Sequence, residues 1–81
     1  MNRQEQYNKY VEMRKIAQDL HELIFDKVST YAKNVYNVAI FVGDEELNTY
    51  FIDVEIGGSE SSYKRWYGYY TLDKIYTMFD L

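Results

Sequence analysis

One histidine, no cysteine and thirteen carboxylates bound the chemistry open to this 81-residue chain. His21 has Ala17 and Phe25 one helical turn away on either side, and no nucleophile or carboxylate lies at i±3 or i±4, where a helix would bring it alongside, so acid–base catalysis has no second member. The pairs Glu22 with Asp26 and Gln18 with Glu22 supply only oxygen, which does not suit a structural zinc site. Ser59, Ser61 and Ser62 fall in an acidic turn with no Gly-x-Ser-x-Gly elbow. Residues 44–55 place Asp44, Glu46 and Asn48 at loop positions 1, 3 and 5 and Glu55 at position 12, the outline of a calcium loop. Thr49 stands where the sharp turn of that loop needs glycine, and residues 50–56 alternate as a strand, so the outline fails. Asp53 and Glu55 share a strand face roughly 7 Å apart, compatible with a carboxylate pair, but no cleft is implied and Arg65 is a ready partner. Gly57 and Gly58 read as turn residues, because no helix follows them closely enough to cradle a phosphate. The expectation is a protein without enzymatic activity, metal or cofactor.

The elements that would position these groups follow from periodicity. Without proline, and with no glycine before Gly43, residues 3–33 read as one long helix. Met13, Ile16, Ala17, Leu20, Ile24, Val28, Tyr31 and Val35 form its apolar stripe, widened by Leu23 and Phe25. Such a helix outruns any seven-residue strand, so its first turns overhang or it breaks near Ser29 and Thr30, whose hydroxyls compete for backbone groups. Three strands follow at 36–42, 49–56 and 64–70. Along the second, Tyr50, Ile52, Val54 and Ile56 alternate with Phe51, Asp53 and Glu55.

Pairing strands two and three so that numbers sum to 120 sets Val54 against Trp66, Ile52 against Gly68 and Tyr50 against Tyr70. Outside, Glu55 then meets Arg65, Asp53 meets Tyr67 and Phe51 meets Tyr69; a slip of one residue would carry Arg65 into the core. A sum of 92 for strands one and two lays Val42, Ile40 and Val38 over Tyr50, Ile52 and Val54, with Phe41 beside Phe51. Thr71 caps a closing helix carrying Leu72, Ile75, Tyr76 and Phe79. The fold class is α+β, a single two-layer domain over 1–81 in the order α-β-β-β-α, with helices covering one face of a three-stranded antiparallel meander.

Aromatic residues make up 19% of the chain, ten of them tyrosine, and this layout leaves Phe41, Phe51, Tyr67 and Tyr69 on a face with no second layer. Four such rings expose a few hundred Å², about the size of a functional patch. Charge is distributed unevenly: residues 1–33 carry +1 and residues 34–81 carry −5. Asp44, Glu45, Glu46, Asp53, Glu55 and Glu60 form a run of six acids with no Lys or Arg among them. That run repels a phosphate backbone and attracts a basic protein, although the same acids also keep a tyrosine-rich surface soluble. Unpaired bases could stack on such rings, but that design needs a basic groove. No apolar run exceeds residues 38–42, and the opening MNRQEQYNKY has no signal-peptide core, so neither a membrane span nor export is expected and the cytoplasm is the default location.

No motif matches a family residue by residue. In size, acidity and layout the chain resembles the small inhibitors carried by phages and mobile elements, such as anti-CRISPR and anti-restriction proteins, a description that toxin-neutralising immunity proteins share. The resemblance implies a steric and electrostatic blocker of a nucleic-acid-binding protein or nuclease complex, acting in the host cytoplasm. The acids Asp44, Glu45, Glu46, Asp53, Glu55 and Glu60 and the rings of Phe41, Phe51, Tyr67 and Tyr69 would form its contact surface. A homodimer built on the same aromatic face is the structural alternative.

Overall fold

The first helix begins where the Asn2 side chain caps it, its Oδ1 accepting a hydrogen bond from the Glu5 backbone N–H (2.8 Å) while its Nδ2 donates to the Glu5 carboxylate. A computed structural model describes residues 2–58 and 63–81 of the chain. In it, helix α1 runs Arg3–Ser29, followed by strands β1 (Asn34–Val42), β2 (Thr49–Gly57) and β3 (Lys64–Thr71) and helix α2 (Leu72–Phe79). The protein is an α+β fold in the order α-β-β-β-α, with an antiparallel sheet ordered β1-β2-β3.

Helix α1 ends at Ser29, short of residue 33. The Ser29 hydroxyl donates to the Phe25 carbonyl and the Thr30 hydroxyl to the Lys27 carbonyl, both at 2.6 Å. These side chains take carbonyls that a continuing helix would bond to its own N–H groups. The buried stripe is narrower than the sequence pattern suggests: Met13, Ala17, Leu20, Ile24 and Val28 are buried, whereas Leu23, Phe25 and Tyr31 stay exposed. A helix lying on a sheet buries only the sector that faces it, and Leu23 and Phe25 flank that sector on opposite sides. The first turns of α1 precede Met13, its first buried residue, and extend past the end of the sheet, which accounts for a molecule measuring 50 × 19 × 18 Å.

Strand pairing has the expected registers: Ile52 lies between Ile40 and Gly68, Val54 between Val38 and Trp66, and Tyr50 between Val42 and Tyr70. One irregularity interrupts it. Val35 pairs with Ile56 and Asn37 with Glu55, so Tyr36 is an extra residue that bulges from β1. Its ring lies over Gly57, where a Cβ would come within 2.7 Å of it; Gly57 is therefore the end of β2 rather than part of a turn. The core joins the α1 stripe to Ile40, Tyr50, Ile52, Val54 and Ile56 of the sheet and to Ile75 and Phe79 of α2. Burial pushes the Tyr50 phenol upward, and the nearby Glu12 charge adds to the effect. Thr71 caps α2 by accepting from the Lys74 N–H, and Phe79 packs on Trp66 with ring centres 4.7 Å apart. Among the described residues, no helix is long and apolar enough to cross a membrane.

Candidate interaction surface

Odd-numbered residues of β2 point away from both helices, and the registers carry their neighbours on β1 and β3 to the same side. Phe51 sits at the centre of the resulting aromatic cluster. Its ring centre lies 5.2 Å from Tyr67 in an edge-on arrangement, 5.3 Å from Tyr69 and 6.5 Å from Phe41. These are the separations at which aromatic pairs attract beyond simple area burial. Phe51 is half-buried by its neighbours, whereas Phe41, Tyr67 and Tyr69 are 61%, 59% and 66% exposed. No described element covers them. Tyr69 also closes over the tip of the first hairpin, where a Cβ on Gly43 would come within 3.0 Å of its ring.

The charged part of this face is organised by Arg65. Register places Arg65 opposite Glu55, yet its guanidinium reaches diagonally to Asp53, with Nε to Oδ1 at 2.9 Å and Nη2 to Oδ2 at 3.0 Å. The two-pronged geometry fits a carboxylate better than a single contact would. The same guanidinium lies 4.8 Å from the centre of the Tyr67 ring, so it links the carboxylate to the aromatic cluster. Glu55 is engaged instead by the Tyr63 hydroxyl, which donates to it. Arg65 holds the Asp53 carboxyl below the usual carboxylate range, and Glu55 raises the Tyr63 phenol.

The acids contiguous in sequence do not form one patch. Asp44, Glu45 and Glu46 occupy the β1–β2 turn, whereas Glu55 lies six residues along β2 from Thr49, roughly 20 Å toward the opposite end of the sheet. Asp53 is ion-paired rather than free. Asp44 holds the turn together: its Oδ1 accepts from the Glu46 N–H (2.9 Å) and the Leu47 N–H (3.0 Å) while Asn48 adopts φ 54°. Glu45 turns toward α1 and lines a groove with Tyr10 and Arg14, leaving Glu46 as the freely exposed acid of that turn. Glu60, like Ser59, Ser61 and Ser62, lies outside the described residues.

Tyr36, Tyr63 and the Arg65–Tyr67 contact are parts of the surface that sequence reasoning missed. The bulge did leave a signal, because Val35 and Val38 are both apolar but three apart, a spacing that a regular strand cannot place on one face. His21 is exposed on α1 far from any hydroxyl–carboxylate pair in sequence, and among the described residues no three His, Cys, Asp or Glu side chains form a metal-binding group. Comparison with known families, curated proteins and solved structures finds no match to this chain.

Proposed function

We propose that this protein is a non-catalytic binding module that docks the outer face of its sheet onto a basic protein surface, inhibiting a nucleic-acid-binding protein or nuclease complex by steric and electrostatic blocking. The observation that carries the reading is the Phe51-centred ring cluster on a face without a second layer. Rigid rings of this kind supply large contact area at little entropic cost, and clusters of them bordered by polar groups are the usual energetic centres of interfaces. The net charge of −4 favours a basic partner, which Glu46, Glu45 and the Glu55 end of the face would steer. An engaged partner would bury Phe41, Tyr67 and Tyr69 and leave its nucleic-acid-binding surface occluded.

Affinity capture from cells that carry the gene, followed by binding kinetics on the captured partner, tests this. The expected partner is a basic, nucleic-acid-binding protein whose complex with Phe51→Ala or Tyr67→Ala dissociates at least about tenfold faster, the effect of losing a buried ring anchor. Direct binding of DNA or RNA by the isolated protein at physiological salt would overturn the reading, as would a partner whose binding ignores both substitutions.

A further inference from the structure

The two edges of the sheet are not alike. Strand β3 carries Lys64 and Arg65 and is interrupted by Gly68 at φ 142°, features that discourage another strand from pairing. Strand β1, NVYNVAIFV, has nine residues with no charge and no proline. Gly43 N–H donates to the Thr49 carbonyl at 2.9 Å, which fixes the alternation back along β1. The backbone groups of Phe41, Ala39 and Asn37 therefore face β2, and those of Val42, Ile40 and Val38 face the open edge over roughly 13 Å.

Helix α1 decides what can use that edge. It packs chiefly on β1, so it lies over the edge strand itself. A second copy offering its own β1 would bring its α1 to about one strand spacing, ~4.8 Å, from the first, whereas two packed helices need about 8–10 Å. A lone extended segment brings no helix with it. It would run in the lane beyond β1, beneath the flank of α1, where a groove of about 520 Å³ is walled by Tyr10, Arg14, Ala17 and Gln18 and closed at one end by Glu45.

From this groove we infer that the protein binds an extended, uncharged segment of another protein, which joins the sheet along β1 as a fourth strand. The backbone groups of Val42, Ile40 and Val38 pair with it in one register, so the main chain supplies affinity and the alternate side chains supply selectivity. Side chains opposite these three residues fall on the inner face, toward α1. Helix α1 and β1 run antiparallel through the short turn that joins them, which brings Ala17 near the level of Ile40. The single methyl of Ala17 leaves room in the wall for a branched aliphatic side chain, and Ile40 and Val42 give that side chain an apolar floor. The groove is also balanced in charge: β1 carries none, and Arg14 and Glu45 are of opposite sign. A run of like charges would gain nothing there, so the segment that fits alternates aliphatic inner residues with neutral outer ones. The inference uses the strand edge and the helix flank and does not rest on the proposed function. Phe41 borders both surfaces, and the variants below leave it intact.

A library of short random peptides displayed on phage, selected on the full chain, supplies the probe, and the enriched sequence is then synthesised. The expected sequence has Val, Ile or Leu at alternate positions and no net charge. Saturating the protein with it should slow exchange of the Val38, Ile40 and Val42 amides at least about tenfold, read by NMR. N-methylation of the alternate residues whose N–H groups meet β1 should weaken binding at least about tenfold, and methylation of the other set should not. Val42→Pro removes an outward N–H from the edge, and Tyr10→Ala removes part of the wall without touching the sheet. Each should raise the peptide's dissociation constant at least about tenfold while Tyr67→Ala leaves it unchanged. A selection that enriches no binder overturns the inference. So does a peptide that binds equally well with either set of residues methylated, or one that Tyr67→Ala releases and neither Val42→Pro nor Tyr10→Ala does.

Discussion

Arg65 bears two loads at once, holding Asp53 with both prongs of its guanidinium and stacking on Tyr67. Because the pair depresses the Asp53 carboxyl, the folded protein binds that proton less readily than the unfolded chain. Its stabilisation is therefore present above the ordinary carboxylate value of about 3.9 and is lost as pH falls through the lower folded value. An NMR titration of the Asp53 side-chain carboxyl should show a midpoint below the usual range, and Arg65→Gln should return it toward that range; an unchanged midpoint would mean that the guanidinium is not the cause. Phe51 differs in kind from the rings around it. It is half-buried and touches all three, so Phe51→Ala should weaken partner binding more than Phe41→Ala, measured as the ratio of dissociation rates. At the β1–β2 turn, Asp44→Ala would disturb the loop as well as its charge, because two backbone N–H groups lose their acceptor. Glu46→Gln is the cleaner probe of electrostatics there.

At the scale of elements, β2 is the strand on which the sheet depends, with Ile52 and Val54 fully buried between two neighbours and under the helix. Ile52→Ala should cost about 2–5 kcal/mol in urea unfolding, the range for removing a buried aliphatic side chain. Gly68 marks the opposite case, a gap in the inner face covered by the Tyr70 ring, whose hydroxyl donates to the Tyr67 carbonyl. At φ 142°, Gly68→Ala meets both backbone strain and the Tyr70 hydroxyl 3.2 Å from the new Cβ, and should lose about 1–3 kcal/mol by the same measurement. The β2–β3 register was legible in the sequence because a one-residue slip would have carried Arg65 inside, and the β1–β2 register because it lays Val38, Ile40 and Val42 against Val54, Ile52 and Tyr50. Period alone did not reveal which flanks of α1 remain wet: Leu23 and Phe25 are apolar, and only the width of the sheet beneath decides that they miss it. Nor could register foretell that Arg65 would pass over Glu55 for Asp53, since a long side chain chooses among several carboxylates by geometry that spacing does not contain.

Across the whole molecule, charge and shape act together. The acids lie toward both ends of the sheet with the rings nearer the β1–β2 end, so an approaching basic partner would be oriented before the rings engage. Glu45→Gln with Glu46→Gln should slow association and flatten its dependence on ionic strength while leaving dissociation nearly unchanged, read from binding traces at several salt concentrations. Unchanged association would reduce those acids to keeping the protein in solution. The order of packing has a further consequence. Each strand pairs with the one next to it in sequence, the β1–β2 turn is short, and α1 packs on the sheet that begins immediately after it. Little loop must therefore be closed before native contacts begin to form, and the chain contains no prolyl bond to isomerise. Refolding by stopped-flow dilution from urea should be complete in roughly milliseconds, in a single exponential with no phase of tens of seconds.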